Sequence, residues 1–570
     1  MSESSKSWAR LRQDAARRRA RARRLAASCR SLADSSGHSL TSAKFVAANC
    51  AVELLEAILL PGDRVVLEGD NQKHADLLAQ ALGRVDPARV HDLHMVQPVV
   101  ALPDHLELFA RGIARRLDFS YCAGLSKELA GDVLAGRLQI GSIHTYLELY
   151  GRLFSDLAPR VALIAASAAD ADGNLFTGYH TEETPVLVEA AHFHEGLVVA
   201  QVDAVVARGA LPRVDIPGDW VDFIIPAPAP HHVAPLFTRD PALINERQIL
   251  IAMLALKGIY ARYGVRSLNH GVGFHTAAVE LLLPTYGEEL GLKGEACTHW
   301  VLNPHPTLIP AIESGFVESV YCFGGEPGME DYVAARPDVF AVGPEGVLRA
   351  NRALAQVAGH YAVDMFVGST LQIDPEGNSS TVTLERITGF GGAPNLGCDA
   401  PGRRHVSAAW RRVGEEDGQR AAAGETMPRG RKLVVLLGQT VNDKGYPLFV
   451  ERLDAWAVAQ RCGLPGPPIM LYAEDVTHIV TERGVAHLHR CRSLEERRAA
   501  LRAVAGDTDV GRAARPAETE TLRRQGVVER PADLEIDPRR ATRALLAAQS
   551  LADLVRWSGG LYQPVGRLRS

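Results

Sequence analysis

Short apolar runs that take turns with helix-period segments constrain this chain more than any other feature. Residues 43–59, AKFVAANCAVELLEAIL, carry apolar side chains at helical spacing. A turn and a brief apolar run follow in PGDRVVLEGDNQ (61–72), and then another helical stretch, KHADLLAQALGRV (73–85). VALIAAS (161–167), GLVVAQV (196–202) and WVDFIIP (220–226) repeat the strand-like half of the pattern. Runs this uniformly apolar belong to strands buried on both faces, the habit of parallel sheets flanked by helices. The expected fold class is α/β, with open, mainly parallel sheets covered by helices.

The alternation is interrupted once. PAPAPHHVAP (226–235) reads as a Pro-rich boundary between two domains, and a long helix over 244–264 opens the second. VESVYCFGG, YAVDMFVGST, KLVVLLGQ and PPIMLYA then read as strands or strand ends. The expected organisation is an Arg/Ala-rich helical extension (1–44), a first domain (45–235), a second domain (236–506) and a helical tail (507–570). The extension reads as a solvated surface helix rather than a targeting or RNA-binding arm. Polar residues 401–432 read as a mobile surface excursion. Each half also carries an acid followed by Gly-Asn, in AADADGNLFTG (168–178) and STLQIDPEGNSSTV (369–382). The same turn after an apolar run in both halves points to duplication.

The 570 residues carry a net charge of -5, which leaves no footprint for nucleic acid. No apolar run approaches the roughly 18 residues of a membrane helix, and no signal-peptide core is present. A soluble cytoplasmic protein is expected. The eight cysteines are scattered without CxxC, so unpaired thiols are expected rather than a disulfide framework or zinc site. Nothing in the His and Cys spacing suggests a metal.

Two glycine-rich loops lie in the second half. Gly271, Val272 and Gly273 precede a helical pattern that starts near Thr276, and Gly389, Gly391 and Gly392 lie in ITGFGGAPNLG (387–397). Such turns expose backbone N–H groups that can hold an anion or a developing oxyanion. Neither satisfies GxGxxG, and GxxxxGK[ST] is absent, so a nucleotide site is not indicated.

PGDRVVLEGDNQKHADLL, IGSIHTYLELY, SLNHGVGFHTAAVELLLPTYGE, NPHPTLIPAIESG, GSTLQIDPEGNSSTV, GFGGAPN and WSGGLY occur in this order. On these stretches the chain resembles the CoA-transferase superfamily and, within it, malonate decarboxylase α subunits. The resemblance implies two tandem CoA-transferase-like sheets. In acetate-type CoA-transferases a nucleophilic Glu lies in S-x-x-E-x-D-x-x-G. Here Ser369, Asp374 and Gly377 match that pattern, and the Glu position is Gln372. A carboxamide cannot form the acyl anhydride those enzymes use.

The resemblance therefore implies direct exchange of acetyl for malonyl on an acyl-carrier protein. The expected oxyanion donors are the backbones of Gly271, Val272, Gly273, Gly391 and Gly392, with Gln372 beside them. Asn395, Arg403, Arg404, Asn71 and Gln72 are the expected substrate contacts, and Glu376 is considered as a substitute acid. His144, His270, His275 and His305 read as structural, because the exchange has no obligatory proton transfer. No cofactor or metal is expected on this chain. The implied partners are a carrier protein bearing a phosphoribosyl-dephospho-CoA arm, decarboxylase β and γ subunits, malonate and acetate. The alternatives are a stand-alone CoA-transferase or citrate lyase α-like transferase, and a non-catalytic scaffold.

Overall fold

The computed structural model describes residues 3–28, 42–69, 73–122, 124–404, 406–427 and 429–565. The first half holds β1 (Arg64–Leu67), β2 (Leu93–Val100), β3 (Ala114–Cys122), β4 (Gln139–Ile143), β5 (Val161–Asp170), β6 (Leu175–Phe176), β7 (Leu197–Val206) and β8 (Phe223–Pro226). Their order is β4-β3-β2-β1-β5-β7-β8, parallel throughout, with β6 antiparallel to β5. Val65 and Leu67 join the core on one face of the sheet and Val66 the core on the other. This two-faced burial is why the runs are apolar without alternation.

The second half holds β9 (Ser267–His270), β10 (His299–Val301), β11 (Ser319–Tyr321), β12 (Met365–Gly368), the small pair β13 (Gln372–Ile373) and β14 (Ser379–Ser380), β15 (Leu433–Leu437), β16 (His478–Thr481), β17 (Gly484–His487) and β18 (Val528–Glu529). The main sheet runs β11-β10-β9-β12-β15-β16-β17-β18. Its first six strands are parallel, and β17 and β18 are antiparallel additions. Strand for strand, β3-β2-β1-β5-β7-β8 and β11-β10-β9-β12-β15-β16 share one order, so the duplication expected from the repeated turn extends to the whole topology.

The repeated turn is the same object twice. Asp170 Oδ1 accepts the amides of Asp172 and Asn174, and Oδ2 accepts Asn174 Nδ2, all at 3.0 Å. Asp374 Oδ1 accepts the amides of Glu376, Gly377 and Asn378, and Oδ2 accepts Asn378 Nδ2. Gly173 and Gly377 take φ of 86° and 99°, the left-handed region that favours glycine. Each Asn Oδ1 then accepts a distant amide, from Gly218 and from Ala473. The motif closes a turn; it does not present a catalytic acid.

Tertiary packing corrects several expectations. The helix Glu3–Ser28 is not simply solvated: Ala15, Ala22 and Ala26 are buried, and Arg18 pairs with Asp63 at 2.5 Å against the helix Ala51–Ile58. Residues 401–432 carry the capped helices Ala408–Glu415 and Gly418–Ala423, pinned by Trp410, which covers Gly430. PPIMLYA forms only a bridge from Leu471 to Ser379, and its Ala473 amide closes the Asn378 turn. The tail contributes β18 as well as helices. Cys50 is disulfide-bonded, against the expectation of unpaired thiols. That pairing depends on tertiary proximity, which spacing does not reveal.

Candidate active site

The first glycine turn leaves β9 at the carboxyl edge of the second sheet, where open α/β sheets bind ligands. Gly271 N–H is bonded to Val367 O at 2.7 Å. Gly273 is the N-cap of the helix Phe274–Leu282. The Thr276 hydroxyl is bonded to the carbonyls of Gly271 and Gly273 at 2.7 and 2.8 Å, locking the turn. Among the described residues, the amides of Val272 and Gly273 have no hydrogen-bond partner. They lie at the positive end of that helix.

The second glycine turn is sewn to the first half. Cys122 N–H donates to Thr388 O at 2.6 Å, and Tyr146 N–H to Gly391 O at 3.2 Å. Ser120 O accepts the amides of both Phe390 and Gly391, at 2.7 and 2.9 Å. Gly389 has φ 77°, and a Cβ there would meet Ser120 O at 2.5 Å. The segment between the two turns joins them. Ser369 Oγ sits 3.5 Å from the Cβ position of Gly273, Thr370 bonds Ser380 O, and Thr381 bonds Gly389 O. Both turns therefore border one continuous face.

Of the five expected backbone donors, Gly271 and Gly391 are corrected, because sheet and seam carbonyls already take their N–H groups. Val272, Gly273 and Gly392 remain. Gln372 pairs with Ser380 across the small hairpin, and its Oε1 accepts Asp454 N–H at 2.9 Å. Its Nε2 has no partner among the described residues. Asn395 is a cross-link: Oδ1 accepts Leu147 N–H at 3.2 Å, and its carbonyl accepts His360 Nδ1 at 2.7 Å.

Three expected contacts point elsewhere. Glu376 pairs with Arg498 at 2.7 Å and its carbonyl holds Arg497, because the Pro375–Gly377 turn breaks strand register. Arg403 is buried, donates to Val363 O at 2.9 Å and pairs with Asp364, at the amino end of β12 and away from the glycine turns. Arg404 is exposed and donates to the carbonyls of Pro401 and Arg403. Asn71 and Gln72 lie outside the described residues.

Sequence reasoning missed Gln356. Its carboxamide lies against Gly392, where a Cβ would come 2.3 Å from Nε2. Buried polar atoms without a hydrogen-bond partner among the described residues collect around the two turns: Gln356 Oε1, Ser120 Oγ, Thr388 Oγ1, Ser369 Oγ and Asn269 Oδ1. Since roughly 90% of buried polar groups are normally partnered, such a concentration marks space for a ligand or water. No local pattern announces it, as the atoms come from both halves of the chain. Under the first turn, Glu280 is fully buried between His270 Nδ1 (2.9 Å), His305 Nδ1 (3.0 Å) and the Thr307 hydroxyl. Burial pushes its carboxyl up, but the two imidazoles outweigh this and hold it well below the carboxylate range. His270 also receives Tyr260 OH at 2.7 Å, so both of its ring nitrogens are held within the protein. Among the described residues no group of His, Cys, Asp and Glu could hold a metal.

Two duplicated, mainly parallel sheets with glycine turns at their seam define the CoA-transferase-like class. The α subunit of citrate lyase from Streptococcus mutans superposes with a TM-score of 0.57 at 15% identity, over 91% of this chain and 86% of that one, a likeness of fold alone. The sequence profile of the malonate decarboxylase α subunit family, described as a transporter, matches residues 17–570. The acetyl-S-ACP:malonate ACP transferase of Malonomonas rubra is 56% identical over 524 residues, 92% of this chain and 94% of its own. A chain of a Pseudomonas malonate decarboxylase hetero-tetramer in complex with malonate superposes with a TM-score of 0.92 at 52% identity, over 99% of both chains. The chain belongs to the malonate decarboxylase α subunit family.

Proposed function

We propose that this chain exchanges acetyl for malonyl on the thiol of a partner acyl-carrier protein. Acetyl-S-carrier plus malonate gives malonyl-S-carrier plus acetate, and no side chain of the chain is acylated. The observation that carries this reading is residue 372. It is a glutamine, and its oxygen is already held by the Asp454 amide. With no carboxylate there, the attacking acid is malonate itself. Its carboxylate adds to the thioester carbonyl and expels the thiolate, and that thiolate then attacks the malonyl carbonyl of the mixed anhydride and expels acetate. Both steps put charge on oxygen. The amides of Val272, Gly273 and Gly392 are the donors for it, each contributing about 3 kcal/mol in a dry site. The orphaned polar atoms of Gln356, Ser120 and Ser369 orient the acid and the carrier arm.

The reading brings with it a phosphoribosyl-dephospho-CoA arm on the carrier, β and γ subunits that decarboxylate the malonyl thioester, and a cytoplasmic location. The similarity to a transferase of this name and to a hetero-tetramer chain supports it. Among the described residues no helix is long and apolar enough to cross a membrane.

The test is isotope exchange with the chain and acetylated carrier protein. Labelled acetate should enter the thioester, malonate should be preferred over succinate and citrate, and borohydride should trap no glutamyl thioester. Absence of exchange, or a trapped glutamyl adduct, overturns the proposal.

A further inference from the structure

His305 is set apart from the other histidines near the glycine turns. It follows β10, whose parallel neighbour β9 runs into Gly271. The 306–308 turn behind it packs on the helix that Gly273 begins. Its Nδ1 is bonded to Glu280, whose carboxylate is ionised and also holds His270 and Thr307. An ionised carboxylate at Nδ1 fixes that proton and leaves Nε2 as the working nitrogen. Nε2 makes no hydrogen bond among the described residues, and the side chain keeps 6% of its surface open. His270 differs: Tyr260 closes its second nitrogen. Around the Nδ1 side of His305 lie the Glu280 carboxylate, the His270 ring that shares it, and the Thr307 hydroxyl. A carboxylate, an imidazole and an open Nε2 at the carboxyl edge of a sheet form a proton-handling pair that purely structural packing does not need.

We propose that His305, oriented by Glu280, is a catalytic residue that pairs the carrier sulfur while it is expelled. This rests on the exchange reaction proposed above. When malonate adds to the acetyl thioester, the C–S bond breaks and its electron pair goes to sulfur. Protonated Nε2 donates its hydrogen to that sulfur, holding it as a paired thiolate or thiol. When the sulfur attacks the malonyl carbonyl, the C–O bond to acetate breaks, acetate leaves with the pair, and the proton returns to Nε2. The proton is borrowed and restored, so the overall exchange consumes none. Thiols ordinarily ionise near pH 8.5, so an imidazolium partner matches the leaving sulfur better than water does.

Asparagine separates the two roles of this ring. In His305→Asn the side-chain amide still donates to Glu280 from the Nδ1 position, but nothing remains at Nε2. The expected result is a folded protein, with melting temperature and KM for malonate near those of the wild type and kcat for exchange down about 100-fold. In His305→Gln the amide reaches the Nε2 position, where it can donate a hydrogen bond to the sulfur but cannot hand over a proton; exchange should recover part of the way towards the wild-type rate. If His305→Asn exchanges at the wild-type rate, or if His305→Gln exchanges no faster than His305→Asn, the role of His305 is overturned while the exchange reaction stands. If the wild-type chain does not exchange at all, both fall together.

Discussion

Gly392 shows at the residue scale how a position can be free in φ and still closed to a side chain. Its φ of -89° suits any residue, but a Cβ would lie 2.3 Å from Gln356 Nε2. Gly392→Ala must therefore push the buried Gln356 aside, at about 1–3 kcal/mol of overpacking. It also shifts the Gly392 amide, which has no hydrogen-bond partner among the described residues. We expect exchange to fall about 100-fold while the melting temperature drops only modestly, read by isotope exchange beside a thermal melt. The two glycine turns were legible as sequence; which of their amides are available was not. Gly391 N–H is taken by Ser120 O, from more than 250 residues away along the chain, and no local spacing reports that. Arg403 and Arg404 misled for the same reason, since proximity in sequence to a glycine turn did not keep Arg403 from Val363 and Asp364 or Arg404 from the carbonyls of Pro401 and Arg403.

Elements were more legible than residues. Period-2 and period-3.6 patterns are set by backbone geometry, so most expected strands and helices fell within a few residues of place. The misses were elements that depend on partners. The helix Ala408–Glu415 looked like an excursion because its apolar content is small, yet Trp410 anchors it on Gly430 and Arg403. Lys432, just before β15, is fully buried, and its Nζ donates to Gly359 O at 2.8 Å. Burial pulls its amine from 10.5 down to about 7. The unfolded chain then holds the extra proton across that interval, so this group adds stability as pH rises from about 7 towards 10.5 and withdraws it as pH falls. In Lys432→Met that contribution should vanish. From about pH 7 to about pH 9 the melting temperature of the wild type should climb relative to the variant's; parallel curves would refute the assignment.

The whole molecule is two copies of one topology facing each other across a polar seam. Arg352 of the second half lies 2.7 Å from Glu182 and 3.7 Å from Glu183 of the first, its guanidinium 4.9 Å from the centre of the Tyr146 ring. All three charged groups are buried. Removing the cation takes a buried charge partner from two buried acids, so Arg352→Met should lower stability by about 3–5 kcal/mol, measured as the midpoint of urea unfolding. Because the seam carries the second glycine turn, exchange should fail at lower urea than global unfolding requires.

The residues alone determined the α/β class, the duplication, the two Asp-Gly-Asn turns and the glycine loops, because each depends on backbone sterics or on periodicity within a few residues. Only the tertiary structure decided which amides stay open, that Gln372 is half engaged, and that Glu280 leaves His305 one working nitrogen. Those outcomes are contacts between segments far apart in the chain, and hydrogen bonds at that separation are set by how the sheets pack rather than by any local pattern.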